Sequence, residues 1–205
     1  SYSNAAQVLA AGGEPLILEV ARDREEALAE RLQHALALRA DMIVTSGGVS
    51  VGDFDLVKQV LAAQGDIHFW WVNMKPGKPM AFGVLAGVPL LALPGNPVAA
   101  MISFLLFGQP AVRKMLGYRD LALPTVRAAL AEPVGRKDGR RHYLRVRLSS
   151  AEGGWVAQGG LTATLTGDQG SGILTSMVAA DGLAVIPETV RSLPVGAVVD
   201  VILLR

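Results

Sequence analysis

Apolar residues recur along this chain in two rhythms. Up to about Gly117, short β-type runs alternate with stretches of helical spacing; beyond Arg119 only short β-type runs remain. Gln7 to Ala11 reads as a helix end stopped by Gly12-Gly13, and Pro15 to Val20 predicts a short strand. Asp23 is placed to cap a helix whose first turn carries Glu25 and Glu26. Ala27, Leu28, Leu32, Ala35 and Leu36 keep helical spacing to about Arg39. Met42 to Thr45 predicts a buried strand, and Asp53 or Asp55 opens a helix through Ala63. Strands are predicted at Ile67–Val72, Met80–Leu85 and Pro89–Leu93. Asn96 then caps a helix with Pro97 at its first position, where the missing proline N–H does no harm; Gly117 stops it after about Leu116. Strands alternating with helices predict an α/β layer on a largely parallel sheet.

The second region reads differently. Thr125–Pro133, Tyr143–Leu148, Gly154–Ala157, Leu183–Ile186 and Ala197–Leu203 are alternating or β-branched runs. Turns such as Lys137-Asp138-Gly139 and Glu152-Gly153-Gly154 separate them, and helical periodicity is absent. A small all-β barrel or sandwich is expected, with domains at 1–118 and 119–205.

Composition narrows the partners. The 205 residues carry a net charge of +1, which provides no general basic field for nucleic acid or a membrane surface, so anion recognition must be local. The absence of cysteine excludes disulfides and thiolate chemistry, and His34, His68 and His142 lack ligand spacing. Met80 to Gly108 is uncharged, but prolines and glycines break it. Its longest clean run, Val98 to Phe107, is far short of the ~20 residues a membrane span needs. With no signal-peptide pattern at the start, a soluble cytoplasmic protein is expected.

Candidate chemistry gathers in three punctuated loops, Thr45–Asp55, Lys75–Pro79 and Leu93–Pro97. In α/β sheets, ligands sit where such loops leave the carboxyl ends of strands. Ser46-Gly47-Gly48 permits positive φ and close approach of a ligand to the backbone, and a following helix start suits phosphate. Asp53 and Asp55 could each cap that helix; beside a phosphate, Asp55 requires a mediating cation such as Mg2+. Lys75 and Lys78 read equally as a solvated turn or as two cations around an anion, with φ fixed by the neighbouring prolines. Capping explains Asn96 and Pro97, whereas Gly95 admits close approach. Thr166–Gly172 reads as a bulge or hairpin loop, and Arg145 as a solvated face or a positioned cation.

Together these segments resemble the molybdopterin molybdenumtransferase family (MoeA-like proteins, including the E domain of gephyrin). The matching words are Ser46-Gly-Gly-Val-Ser-Val-Gly-Asp-Phe-Asp55, Met74-Lys-Pro-Gly-Lys-Pro79, Leu93-Pro-Gly-Asn-Pro-Val98, Gly167-Asp-Gln-Gly-Ser171 and Leu193-Pro-Val-Gly-Ala-Val-Val199. The resemblance implies a three-layer αβα molybdopterin-binding domain, truncated at its N-terminus, followed by a small barrel-like domain. It implies insertion of molybdate into adenylylated molybdopterin with Mg2+-dependent release of AMP. Asp55 would serve the metal and pyrophosphate, and Lys75 and Lys78 the phosphate or molybdate oxygens. Asp23, Ser46, Gly47, Gly48, Ser50, Gly95, Asn96 and Pro97 would line the ligand site. Arg145 and Ser171 would close over the cleft of a neighbouring subunit in a homodimer. Family members usually carry two further N-terminal domains, so the chain resembles the C-terminal portion, and Trp71 stands where a basic residue is common. Two alternatives share the fold: a molybdopterin adenylyltransferase, and a non-catalytic dimerising scaffold. The β-domain and the wording of Val49–Asp55 argue against the adenylyltransferase.

Overall fold

A computed structural model describes residues 2–21, 24–47, 65–135, 138–150 and 160–204. The chain divides into two units, Ser1–Val72 with Gly77–Leu121, and Asn73–Pro76 with Ala122–Arg205.

In the first unit four strands lie in the order β1 (Ile43–Ser46), β5 (Val88–Leu93), β4 (Pro79–Leu85), β2 (Gly65–Trp71). The apolar run of β5 is continuous because both of its faces are buried. Leu90 and Ala92 join Leu32 and Ala35 of helix α2 (Glu25–Ala37) in one cluster. Leu91 and Leu93 pack on the other face with Ala100 and Phe104, from the helix that opens with α3 (Pro97–Ser103). Val8 of helix α1 (Tyr2–Ala10) joins that second cluster. The layers are therefore helix, sheet, helix. The long helix continues through a π-helical turn at Phe104–Gly108 into α4 (Gln109–Met115). Pro110 has no N–H to offer the preceding turn, and Gln109 N–H reaches back five residues to the Phe104 carbonyl. Gly117, at φ 85°, ends the helix as expected. Its N–H bonds the Lys114 carbonyl while Tyr118 N–H bonds that of Arg113, the paired bonds of a left-handed cap.

Several expectations are corrected here. The described sheet is mixed: β1 pairs in parallel with β5, while β4 runs against the other three strands and pairs antiparallel with both β5 and β2. The cause is local. Ala86 and Gly87, both at positive φ, make a two-residue hairpin turn that leaves no room for a crossover. Pro15–Val20 joins no described strand; Leu16, Ile17 and Val20 are exposed, and Pro15 lacks a ladder donor. Arg24, not Asp23, occupies the cap position of α2, and its side chain makes no cap bond. Asn96 does stand at the cap of α3, yet its side chain also makes no cap bond. The helix expected from Asp53 or Asp55 to Ala63, and the strand at Gly154–Ala157, lie outside the described residues.

The second unit is a barrel. Strands β10 (Gly182–Ile186), β12 (Val198–Leu203), β6 (Thr125–Leu130), β9 (Leu161–Leu165) and β8 (Arg141–Ser150) pair in that order, and β8 returns to β10 to close the ring. Closure removes the open edges of a sheet. Val199 and Val201 point into the core between outward Val198 and Asp200, the alternation that marked this run in the sequence. The short strand β3 (Met74–Lys75) adds in parallel beside Arg141 and His142, and β7 (Val134–Gly135) pairs with β11 (Ser192–Leu193). The region is not purely β: helix α5 (Leu174–Val178) is a single turn, too short to leave a periodicity, and β9 was likewise not anticipated. Among the described residues no helix is long and apolar enough to cross a membrane.

Candidate functional site

One edge of the first unit's sheet gathers the motif residues. Ser46 lies opposite Leu93, Ala92 opposite Ala81, and Pro79 opposite Trp71. The carboxyl ends of β1, β5 and β2 therefore meet the start of β4 along a single edge. Gly47 turns there at φ 98°, and its N–H donates to the Leu93 carbonyl at 3.1 Å. Across from it, a Cβ on Gly95 would stand 3.3 Å from the Gly47 Cα, tighter than an ordinary side-chain contact. The two loops thus pack backbone to backbone, and a side chain at Gly95 would require the Gly47 loop to yield by a few tenths of an ångström. Asn96 follows; its carbonyl accepts from Ala100 N–H at 2.8 Å to start the helix. Its side-chain Oδ1 is buried and has no hydrogen-bond partner among the described residues. A buried polar atom without a partner is costly, and at the mouth of a loop it marks a place for a ligand or water.

The two lysines of the second loop have different neighbours. Lys78 Nζ lies over the Trp71 ring, 4.0 Å from its centroid. Lys75 is part of β3 in the second unit, and its Nζ is 3.7 Å from Asp138 Oδ2. That carboxylate is heavily engaged. Arg140 donates to Oδ2 through Nη2 at 2.6 Å and Nε at 3.1 Å, while His142 Nε2 is 2.6 Å from Oδ1. Burial alone would raise the Asp138 pKa; the hydrogen bonds from His142 and Arg140, with their charge, outweigh it and hold the group well below the usual carboxylate range. Backbone bonds tie the same pieces together, Arg141 N–H to the Asn73 carbonyl at 3.0 Å and the Asn73 amide to the Gly139 carbonyl at 3.0 Å.

Arg145 is fully buried in the barrel, with 0% exposure. Its Nη2 donates to the carbonyls of Asp168 at 3.0 Å and Gly170 at 3.1 Å. The Gln169 amide copies a strand partner, accepting from Arg145 N–H at 2.8 Å and donating to the Arg145 carbonyl at 3.2 Å. Thr166 Oγ1 bonds the same carbonyl and that of Ser176. Burial lowers the guanidinium's pKa, opposed by the charge of Asp168. Arg145 therefore fixes the loop that presents Ser171, which is half-buried. Of the two readings open for Arg145, the positioned cation is the one observed.

Comparison with known proteins identifies the family. Residues 3–114 match a family model described as "Probable molybdopterin binding domain", and residues 127–204 match "MoeA C-terminal region (domain IV)". The chain belongs to the MoeA-like molybdopterin-binding family. It is 35% identical over 191 residues to the molybdopterin molybdenumtransferase of Nostoc sp., covering 91% of this chain and 42% of that protein. It is 34% identical over 189 residues to gephyrin of Dictyostelium discoideum, covering 81% of this chain and 26% of that protein. Among solved structures, the MoeA protein of Pyrococcus horikosii superposes with a TM-score of 0.79 at 32% identity, over 98% of this chain and 48% of that one. The chain thus spans less than half the length of the relatives it matches.

Within this MoeA-like chain, Ser46, Gly47, Gly95, Asn96, Pro97 and Lys78 share the sheet edge. Lys75, Arg145 and Ser171 belong to the second unit. Asp23, Gly48, Ser50, Asp53 and Asp55 lie outside the described residues. Among the described residues no group of three or more His, Asp or Glu side chains could hold a metal ion. The oxygen donors at the edge, Asn96 Oδ1 and the Ser46 hydroxyl, are of the class Mg2+ accepts, and the carboxylate expected to complete such a set is Asp55. Two arrangements escaped the sequence reading. Asp138 looked like a turn residue, and His142 like an unremarkable strand position, because neither spacing nor periodicity shows that they meet Arg140 and Lys75. Trp71 was noticed only as a missing charge, although a ring just before a lysine-bearing turn is a signal for a cation–π contact.

Proposed function

We propose that this chain forms the ligand-binding portion of a molybdopterin molybdenumtransferase, which inserts molybdate into adenylylated molybdopterin and releases AMP. The observation that carries the reading is the backbone approach of Gly47 to Gly95 beside the buried Asn96 Oδ1, which has no hydrogen-bond partner among the described residues, at the carboxyl edge of an α/β sheet. Gly95 lets the two loops close on each other, and a phosphorylated ligand would meet main-chain atoms along the edge they form. Lys78 contributes a cation at the same edge, suited to the charge that grows on the departing phosphate or rests on the oxyanion. Mg2+, held through Asp55 with the oxygen donors of the edge, would supply further charge neutralisation when bound. Arg145 holds the loop carrying Ser171 in the form in which the barrel would serve a homodimer's cleft. The reaction belongs to molybdenum cofactor biosynthesis in the cytoplasm.

The test is molybdate-dependent AMP release by the full-length protein supplied with adenylylated molybdopterin and Mg2+. Release that stops when molybdate is omitted is expected; AMP formation indifferent to molybdate, or none at all with the ligand bound, would contradict the assignment.

A further inference from the structure

Lys78 is ordered by its fold as well as by its sequence. Trp71 pairs with Pro79 across β2 and β4, and Val72 N–H donates to the Lys78 carbonyl at 2.8 Å. These bonds close the connection between the two strands, so the ring and the lysine backbone are brought to the same place by the sheet itself. The Lys78 ammonium then rests 4.0 Å from the centre of an indole that is 61% exposed.

The kind of partner matters. A carboxylate would order the lysine but cancel much of its charge toward a second anion. An aromatic face attracts the cation through its quadrupole and leaves the formal charge in place. The flexible side chain is held before an anion arrives, so less freedom is lost on binding. The indole covers one side of the ammonium and leaves the remaining N–H groups for oxygen acceptors. Gly47, Gly95 and Asn96 Oδ1, which has no partner among the described residues, lie along the same sheet edge, where those acceptors would be received.

We infer that Trp71 is a positioning residue for oxyanion binding: its ring presents Lys78 as an ordered, un-neutralised cation to molybdate or phosphate oxygens. This rests on the transferase reading above, in which Lys78 meets such oxygens.

The test follows the lysine methylenes by 1H–13C NMR, with Lys78→Ala assigning the signal and molybdate alone as the titrant. In the unaltered protein the Lys78 methylenes next to the ammonium should be shifted upfield by the indole, and molybdate should move them. Trp71→Ala should abolish the upfield shift and raise the molybdate midpoint by about two- to fivefold, the range of an exposed cation–π contact. Trp71→Phe, which keeps a smaller ring, should restore part of both. Because Trp71 is largely exposed, its removal leaves the core intact, and the dispersion of the remaining spectrum checks the fold. An unshifted Lys78 in the unaltered protein, or an equal molybdate midpoint in Trp71→Ala, would overturn the positioning role while leaving the oxyanion reading in place. A Lys78 signal that molybdate does not move would overturn the oxyanion reading itself.

Discussion

Lys75 and Lys78 are three residues apart and are held by opposite means. In the second unit, Lys75 faces Asp138, a carboxylate already bonded to Arg140 and His142. In the first unit, Lys78 lies on the face of Trp71. One cation is balanced by a formal charge and the other is steadied without one. The deeper cation of the barrel, Arg145, is held a third way, by the carbonyls of Asp168 and Gly170. Cations balanced by carboxylates or locked by carbonyls serve architecture. A cation ordered by a ring keeps its charge available for a ligand.

That contrast can be broken most directly at Lys78. Lys78→Ala should lower molybdate-dependent AMP release by about 100-fold, the scale of losing one charge-stabilising group, with the unfolding midpoint unchanged. Steady-state turnover and thermal unfolding together check it. Arg145→Lys should do the reverse. A lysine ammonium does not reach the place of Arg145 Nη2, which donates to both carbonyls, so the barrel should lose about 1.5–3 kcal/mol, read from urea unfolding. If the Arg145 variant were as stable as the parent, the carbonyl lock would have no structural weight.

A smaller effect sharpens the comparison at Asp138. Its folded pKa is held below the ordinary carboxylate value, so its contribution is complete above about pH 4 and is lost as pH falls through the lower, folded value. Thermal unfolding midpoints should therefore decline on acidification more steeply in the parent than in Asp138→Asn. Parallel declines would remove Asp138 from the account.

Much of the fold could be read from local pattern. The run Pro89–Leu93 and the Asn96-Pro97 helix start carry their structure in a few adjacent residues, and both are observed with shifts of a residue or less. The antiparallel pairings of β4 could not be inferred from alternation of elements, because two short connections, Ala86-Gly87 and the return from Trp71 to Pro79, decide them. Pro15–Val20 has strand composition, but composition cannot show that a strand lacks a neighbour. At the site, the glycines in sequence pointed to a close approach of ligand to backbone; in the structure Gly47 is required by its φ of 98° and Gly95 by the Gly47 backbone packed against it. The surroundings of the lysines were hidden, because Asp138 lies more than sixty residues from Lys75 and no periodicity links the two.

The central claim is that the sheet edge at which Gly95 packs on Gly47 receives the ligand. It is tested most directly by titrating adenylylated molybdopterin into the full-length protein and into Gly95→Val, with calorimetric detection. Gly95 shows no left-handed backbone requirement, so the added side chain acts mainly by pushing the Gly47 loop away from its place at the edge. The prediction is a loss of affinity of about tenfold or more with the thermal midpoint little changed. Equal affinity in the two proteins would contradict the claim and move the ligand elsewhere.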